Sequence, residues 1–218
     1  MYTFIFGFIF KARVPGAETT LGYAIWLISG LVPYQAFSEG VNSAAGSLIG
    51  GANMIKNMAF NSETLVFAAA LLSLVSFTVG MVFLLILSAC DGNWPSWHII
   101  FLCLVIPLQF LLITGLGLFL SAFAVFVRDT LQILPTLLIF LMFFTPIFYA
   151  KSMLPSFAAK LTFFNPLFQL TDAYRSILLV HAIPDLLGLA YLAVVCIGLN
   201  LLGLLFFRRL KGLFEVAL

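Results

Sequence analysis

Long apolar runs separated by short polar connections make up most of the chain. Because the hydrocarbon core of a bilayer is about 30 Å thick, a helix needs about 20 apolar residues to cross it. Four runs of suitable length are free of Asp, Glu, Lys and Arg, and a fifth contains Pro135 and Pro146, which neighbouring helices can accommodate. The predicted spans are Thr19–Ser38, Thr64–Cys90, Gly92–Val127, Thr130–Ala150 and Leu186–Phe207.

The remaining segments are too short or too polar to cross a membrane alone. Met1–Phe10 is apolar but short, so we interpret it as the end of a longer helix or as an interfacial segment. The mixed stretch from Gly46 to Glu63 predicts a short amphipathic helix along the membrane surface. Residues 151–184 are interrupted by prolines and predict interfacial or re-entrant helices.

The composition supports this assignment. Hydrophobic residues make up 63% of the chain and charged residues only 8%, whereas a soluble domain carries about 25% charged residues. The predicted fold class is therefore all-α: one transmembrane domain over residues 1–218, an integral membrane bundle with five full transmembrane helices and the end of a sixth. The net charge of +2 gives no reason to expect a nucleic-acid partner. Cys90, Cys103 and Cys196 are expected to be ordinary packed thiols.

The basic residues do not orient the bundle. With the C-terminus in the cytoplasm, each side of the membrane would carry five of them, so the positive-inside rule makes no choice. The cluster of Arg208, Arg209 and Lys211 after the last span mildly favours an inside tail.

The sequence has no visible means of binding ATP or of catalysis. It contains no GxxxxGK[ST] phosphate loop, no HExxH or GxSxG motif and no metal-ligand spacing of Cys and His. We therefore predict no catalytic residues, no metal and no cofactor, with ATP bound by a partner subunit. His181 and Asp185 are a weak candidate acid–base pair, and a polar interfacial pair is the simpler interpretation.

Two polar features near the predicted spans have alternative interpretations. Glu39 is either a polar point on a transport path or the partner of a structural hydrogen bond, because an ionised group facing lipid is costly. Arg128 and Asp129, in a tight turn between two spans, form either a helix-end ion pair or a contact for a cytoplasmic partner.

An aromatic run marks the end of the fifth predicted span. Flat rings stack on sugars, so these residues are candidates for lining a carbohydrate path, with lipid or helix packing as the alternative. The residues are Phe140, Phe143, Phe144, Phe148 and Tyr149.

Several segments together resemble the permease subunit of type-2 ABC exporters for polysaccharides or polyol phosphates, of the O-antigen, capsule and teichoic acid type. The resemblance runs from Tyr2 to about Leu213. The segments that carry it are YTFIFGFIFKARVPG, SGLVPYQAFSEG, Asn53-x-Ile55-Lys56 with Phe60 and Glu63, RDTLQILP at 128–135, TPIFY at 145–149 and NPLFQLTDAYRSILL at 165–179.

The resemblance implies a homodimer of permeases that works with a dimer of ATP-binding subunits. A cytoplasmic coupling helix, here Ser47–Glu63, would pass the closure of the ATPase to the membrane. The residues implied in this contact are Asn53, Ile55, Lys56, Phe60, Glu63, Arg128 and Asp129. This assignment also places the C-terminus inside, in a multi-pass protein of the bacterial inner membrane.

The same resemblance implies a path for a lipid-linked glycan between the two copies, lined partly by the first and fifth spans. Glu39 and the aromatic run would contribute to that path. Asn165, Pro166, Tyr174 and Arg175 match an outer-face motif of short helices, where Arg175 would either meet a pyrophosphate or cap the local structure.

Two departures from the family pattern affect these expectations. Asn61 stands where the family usually has a proline, so the family pattern does not fix the exact turn of the coupling segment here. Family chains also begin with an interfacial helix and a complete first span, so we expect this sequence to be truncated or a fragment. The predicted function is export of a lipid-linked polysaccharide or polyol phosphate; the alternatives are a type-2 ABC permease for a drug or lipid, and an intramembrane lipid or sugar transferase.

Overall fold

The computed structural model describes residues 20–57, 61–94, 96–149, 155, 157 and 161–214, and the described part is all-helical, without strands. The predicted segment Met1–Phe10 and the predicted coupling residue Phe60 lie outside it, as does the side chain of Lys56. In chain order the α-helices are α1 (Thr20–Gly50), α2 (Ala52–Asn57), α3 (Glu63–Cys90), α4 (Leu102–Phe126), α5 (Thr130–Phe144), α6 (Pro166–Arg175) and α7 (Leu186–Leu210).

Short turns of other helix types extend several of these elements. A 3-10 segment, Trp97–Phe101, leads into α4, and another, Lys211–Leu213, follows α7. The 3-10 segment Thr162–Phe164 precedes α6, which continues as a π-helical turn over Ser176–Val180.

Within the described residues, three helical segments have the length and apolarity to cross a membrane: Glu63–Cys90, Trp97–Phe126 and Leu186–Leu213. They coincide with three of the predicted spans. The helix over the first predicted span is longer than expected, since α1 runs on to Gly50, and α5 ends at Phe144, short of the predicted end at Ala150. A membrane helical bundle is therefore supported, and the number of spans stays a prediction.

The predicted coupling helix differs from its expected bounds. Ser47 belongs to the last turns of α1, and within the described residues the separate helix covers Ala52–Asn57. The break occurs at Gly51, whose N–H donates to the carbonyl of Ser47 and where a Cβ atom would lie 2.5 Å from Cδ1 of Leu65. A larger residue at this position would have to displace the side chain of Leu65.

The chain separates into two compact units. The first comprises the described residues up to Tyr34 and those of Phe77–Val105 and Phe140–Leu192; its core includes Ile147, Leu170, Tyr174 and Leu192. The second comprises Gln35–Ser76, Ile106–Ile139 and the residues from Ala193 onwards. Its core cluster consists of Ala44, Leu48, Ile55, Val66, Leu118, Ala122, Val125, Phe207 and Phe214.

The outer surfaces of α3 and α7 are apolar. On α3 the exposed side chains include Leu71, Leu72 and Val75, and on α7 they include Leu201 and Leu205. A continuous apolar surface of this kind fits hydrocarbon rather than water as the surrounding solvent.

Candidate coupling surface and outer polar cluster

Helix α2 has one buried and one exposed side. Ile55 is 9% exposed and packs in the core of the second unit, whereas Asn53 and Met54 are exposed. The core cluster that contains Ile55 also includes residues of α1, α3, α4 and α7, so α2 packs into the same core as the long helices of its unit. We call the exposed surface of α2, together with residues 61–63, the candidate coupling surface.

Glu63 anchors one end of the candidate coupling surface. It lies in the first turn of α3, where its Oε1 is 3.4 Å from Nε of Arg208 and 3.8 Å from Nζ of Lys211. Lys211 also donates to Oδ1 of Asn61 over 3.5 Å. An acidic residue at a helix N-terminus and basic residues at a helix C-terminus both complement the helix dipoles. The sequence pattern points to Glu63 but not to its pairing with Arg208 and Lys211, whose charges bear there only on the orientation of the bundle.

Arg128 and Asp129 form the predicted tight turn. Helix α4 ends at Phe126 and α5 begins at Thr130, whose N–H donates to the carbonyl of Val127. Both charged side chains are exposed. Val125, which belongs to the same core cluster as Ile55, lies less than one helical turn before Arg128. The turn is thus attached to the core that supports α2, and its exposed charges are available to a partner.

Glu39 lies in a polar stripe on α1. Its Oε1 accepts a hydrogen bond of 3.2 Å from Oγ of Ser76, so the contact required by the structural interpretation is present. Gln35, Glu39 and Ser43 recur at a spacing of four residues, share one side of the helix, and are all exposed. This polar stripe contrasts with the apolar exposed surfaces of α3 and α7 in the same unit.

The aromatic run divides into exposed and buried members. Phe140, Phe143 and Phe144 are exposed on α5, Phe144 to 77%. Phe148 is buried and stacks on Phe143 with ring centroids 5.5 Å apart, while the Tyr149 hydroxyl donates to the carbonyl of Phe143. Three of the five rings are therefore exposed, and Phe148 packs against one of them, Phe143.

The outer-face motif begins with a capped helix. Asn165 is the N-cap of α6 and accepts from the backbone N–H groups of Leu167 and Phe168, and Pro166 occupies the first turn, where no N–H is needed. The side-chain amide of Asn165 also donates to Oγ1 of Thr145 over 3.1 Å. The cap therefore links α6 to the turn that follows α5.

Tyr174 and Arg175 end the same helix and are both buried. The Tyr174 ring contacts Phe77, with centroids 5.4 Å apart. Arg175 donates from Nη1 to the carbonyl of Pro146 (3.0 Å) and from Nη2 to that of Ile147 (2.9 Å). Burial lowers the pKa of its guanidinium to about 10, a shift opposed by Asp172, so the group stays charged at neutral pH. The structure therefore contains the hydrogen bonds that are expected if Arg175 caps the local structure.

Asp185 is engaged as a helix cap. Its carboxylate accepts from the backbone N–H groups of Leu187 and Gly188 at the start of α7, which suits an N-cap rather than a catalytic acid. Cys196 is buried and donates to the carbonyl of Leu108, while Cys90 and Cys103 are exposed. Within the described residues no cluster of His, Cys, Asp and Glu is suited to hold a metal ion.

Comparison with known proteins matches residues 1–179 to the family described as ABC-2 type transporter. The chain is 25% identical over 201 residues to the O-antigen export system permease protein RfbA of Myxococcus xanthus, covering 91% of this chain and 75% of that protein. It is 26% identical over 216 residues to an RfbA of the same description from Klebsiella pneumoniae, covering 97% and 79%. It is 23% identical over 205 residues to the polysialic acid transport protein KpsM of Escherichia coli, covering 94% and 78%.

These matches agree with the architecture. Apolar helices of spanning length fit a multi-pass protein of the inner membrane. A permease of this family implies an ATP-binding partner component. The chain belongs to the ABC-2 type transporter family.

Proposed function

We propose that the chain is the membrane-spanning permease subunit of an ABC exporter that moves a lipid-linked polysaccharide or polyol-phosphate polymer across the bacterial inner membrane. It carries out no catalysis and binds no cofactor itself. A dimer of separate ATP-binding subunits supplies the energy, and a second copy of the chain completes the path.

The position of Ile55 is the observation that carries this proposal. Its side chain belongs to one core cluster with residues of α1, α3, α4 and α7, among them Leu48, Val66 and Phe207. Protein cores are close-packed and transmit displacement instead of absorbing it. A push on the exposed side of α2 would therefore tilt several membrane helices together, which is what coupling to a soluble ATPase requires.

The surface chemistry supports a hydrophilic substrate. The polar stripe of Gln35, Glu39 and Ser43 would be costly against lipid and is suited to water or to sugar hydroxyls. The exposed rings of Phe140 and Phe144 offer flat surfaces on which sugars stack. Both surfaces are exposed in the described chain, so each is available to face a second copy of the chain.

Two alternatives predict different results. A permease for a drug or lipid would bind hydrophobic ligands better than glycolipids, so competition between the two ligand classes separates that function from glycan export. An intramembrane transferase would turn over a polyprenyl-phosphate substrate without any ATPase. The proposed exporter would not.

Genetic replacement tests the proposal. In a host whose own glycan permease is deleted, expression of the chain with its ATP-binding partner should restore glycan at the cell surface. The matched variant Ile55→Asp, which places a charge in the core behind α2, should remain in the membrane and leave lipid-linked glycan on the inner side. If the unaltered chain and its ATP-binding partner are both present and glycan is still absent from the cell surface, the proposal is contradicted.

A further inference from the structure

The turn after α5 is held by side chains from other elements. The carbonyls of Pro146 and Ile147 accept from Arg175, and the carbonyl of Phe148 accepts from the Tyr23 hydroxyl over 3.3 Å. Pro146, Ile147 and Phe148 are all buried. Buried carbonyls outside a helix need donors, because a buried carbonyl that has lost water and found no partner destabilises the fold. Arg175 supplies two of these donors at adjacent residues.

The guanidinium itself is held in one place. Its central carbon lies 3.8 Å from the centre of the Trp26 ring, which makes a cation–π contact. Gly30 lies on α1, as Trp26 does, and a Cβ atom there would lie 2.6 Å from Nη2 of Arg175. The space that glycine leaves open on α1 is thus occupied by the arginine.

This geometry distinguishes positioning from ligand binding. Both terminal nitrogens of Arg175 are engaged with backbone carbonyls, and the remaining Nε is buried without a hydrogen-bond partner among the described residues. The side chain is 8% exposed. Lysine would keep the charge but lacks the planar fork that reaches two carbonyls at once.

We propose that Arg175 is a positioning residue for export: it locks the turn 145–149 to α1 and α6 and so fixes Phe143 and Phe144 at the end of α5. The link from the turn to Phe143 is direct, because Phe148 stacks on the Phe143 ring and the Tyr149 hydroxyl donates to the Phe143 carbonyl. Phe144 is the next residue of the chain. This inference rests on the proposed function for its effect on export, whereas the lock itself is measurable without any substrate.

Trp26 reports on the lock. The chain has three tryptophans, and Trp94 and Trp97 are 72% and 66% exposed, so Trp94→Phe with Trp97→Phe leaves Trp26 as a single reporter. In purified full-length protein in lipid nanodiscs, Arg175→Met should shift the Trp26 emission and increase its quenching by acrylamide. Arg175→Lys, which retains the cation, should give an intermediate shift. Unchanged emission and quenching in both variants would overturn the lock.

A second pair of variants covers the case in which Arg175→Met fails to fold. Gly30→Ala should displace the guanidinium and move the Trp26 signal in the same direction. Gly46→Ala is the matched control on the same helix, because a Cβ atom there meets nothing within 4 Å. Equal signals from the two alanine variants would overturn the inference.

The export arm separates this inference from the proposed function. Per molecule of folded protein, export should be lost in Arg175→Met, reduced in Gly30→Ala, partly retained in Arg175→Lys and unchanged in Gly46→Ala. Normal export in a variant whose Trp26 signal has moved would overturn the positioning role.

A change of Trp26 emission on adding a polyprenyl pyrophosphate to unaltered protein would overturn the positioning role in favour of phosphate binding. If the unaltered protein exports no glycan, the proposed function fails while the fluorescence still tests the lock.

Discussion

Gly115 on α4 and Gly203 on α7 bring two helix backbones into contact: a Cβ atom at position 203 would lie 2.5 Å from the carbonyl oxygen of Gly115. Asn200, one turn before Gly203 on α7, accepts from Oγ1 of Thr114 over 3.0 Å and donates to the carbonyl of Leu111. Small residues at the crossing therefore allow a polar contact between helices whose other surfaces are apolar.

Replacing Gly203 should separate these helices. The methyl group of Gly203→Ala would meet a backbone atom, which cannot rotate away, and overpacking of this kind costs about 1–3 kcal/mol. We expect a lower melting temperature of the purified protein in detergent. Gly198→Ala on the same helix, where a Cβ atom meets nothing within 4 Å, should not lower it. Equal melting temperatures for the two variants would argue against this packing.

Asn165 should stabilise the protein through its cap. Asn165→Ala removes the acceptor for two backbone N–H groups and the donor to Thr145, and loss of an N-cap alone costs about 1 kcal/mol. Asn165→Asp keeps the cap and should lie between the alanine variant and the unaltered protein in thermal unfolding. Asn93→Ala, in a loop held through the Asn93 backbone, serves as the control. A control as unstable as Asn165→Ala would remove the special role of the cap.

Glu39 and Ser76 allow the two interpretations of the polar stripe to be separated. If Glu39 contributes to the path, Glu39→Leu should lower export several-fold at an unchanged level in the membrane. Ser76→Ala, which removes only the hydrogen bond between these residues, should export normally. If Glu39 serves only as the partner of this hydrogen bond, both variants should instead lose thermal stability to a similar extent. Thermal unfolding measures that loss, and surface glycan measures export.

Charge reversal at Lys56 tests the candidate coupling surface. The residue lies in α2 beside Ile55, and we expect Lys56→Glu to lower export and substrate-stimulated ATP hydrolysis several-fold while the protein stays in the membrane. The neutral variant Lys56→Gln should have a smaller effect. Asp91→Lys, a charge reversal of the same size and opposite sign in the exposed loop after α3, is the control. Unchanged export in Lys56→Glu would remove that residue from coupling.

The sequence predicts helix boundaries well where polar residues mark them. Helix α3 begins at Glu63 and α7 at Leu186, each within one residue of the prediction, and the turn at Arg128 and Asp129 is confirmed. Hydropathy fails at the end of α5, because residues 145–149 are apolar and continue the pattern of the span. The helix stops there because Pro146 has no backbone N–H to donate, and because Arg175, far along the chain, donates to the buried carbonyls of Pro146 and Ile147.

The candidate sites were partly visible in the sequence for a similar reason. Asn165 and Pro166 form a local N-cap signal that is recognisable in the sequence alone. The pairing of Glu63 with Arg208 joins residues far apart in sequence, and the count of basic residues uses Arg208 only to orient the bundle. The contact of Gly30 with Arg175 depends on tertiary packing, which no local pattern encodes.

The most direct test of the central claim is transport by the reconstituted complex. The full-length chain and its ATP-binding partner, placed together in proteoliposomes with a lipid-linked glycan, should move the glycan across the bilayer when ATP is added. Movement should stop when the ATPase is omitted or ATP is replaced by a non-hydrolysable analogue. Glycan movement that does not depend on ATP, or ATP hydrolysis without any movement of glycan, would contradict the account.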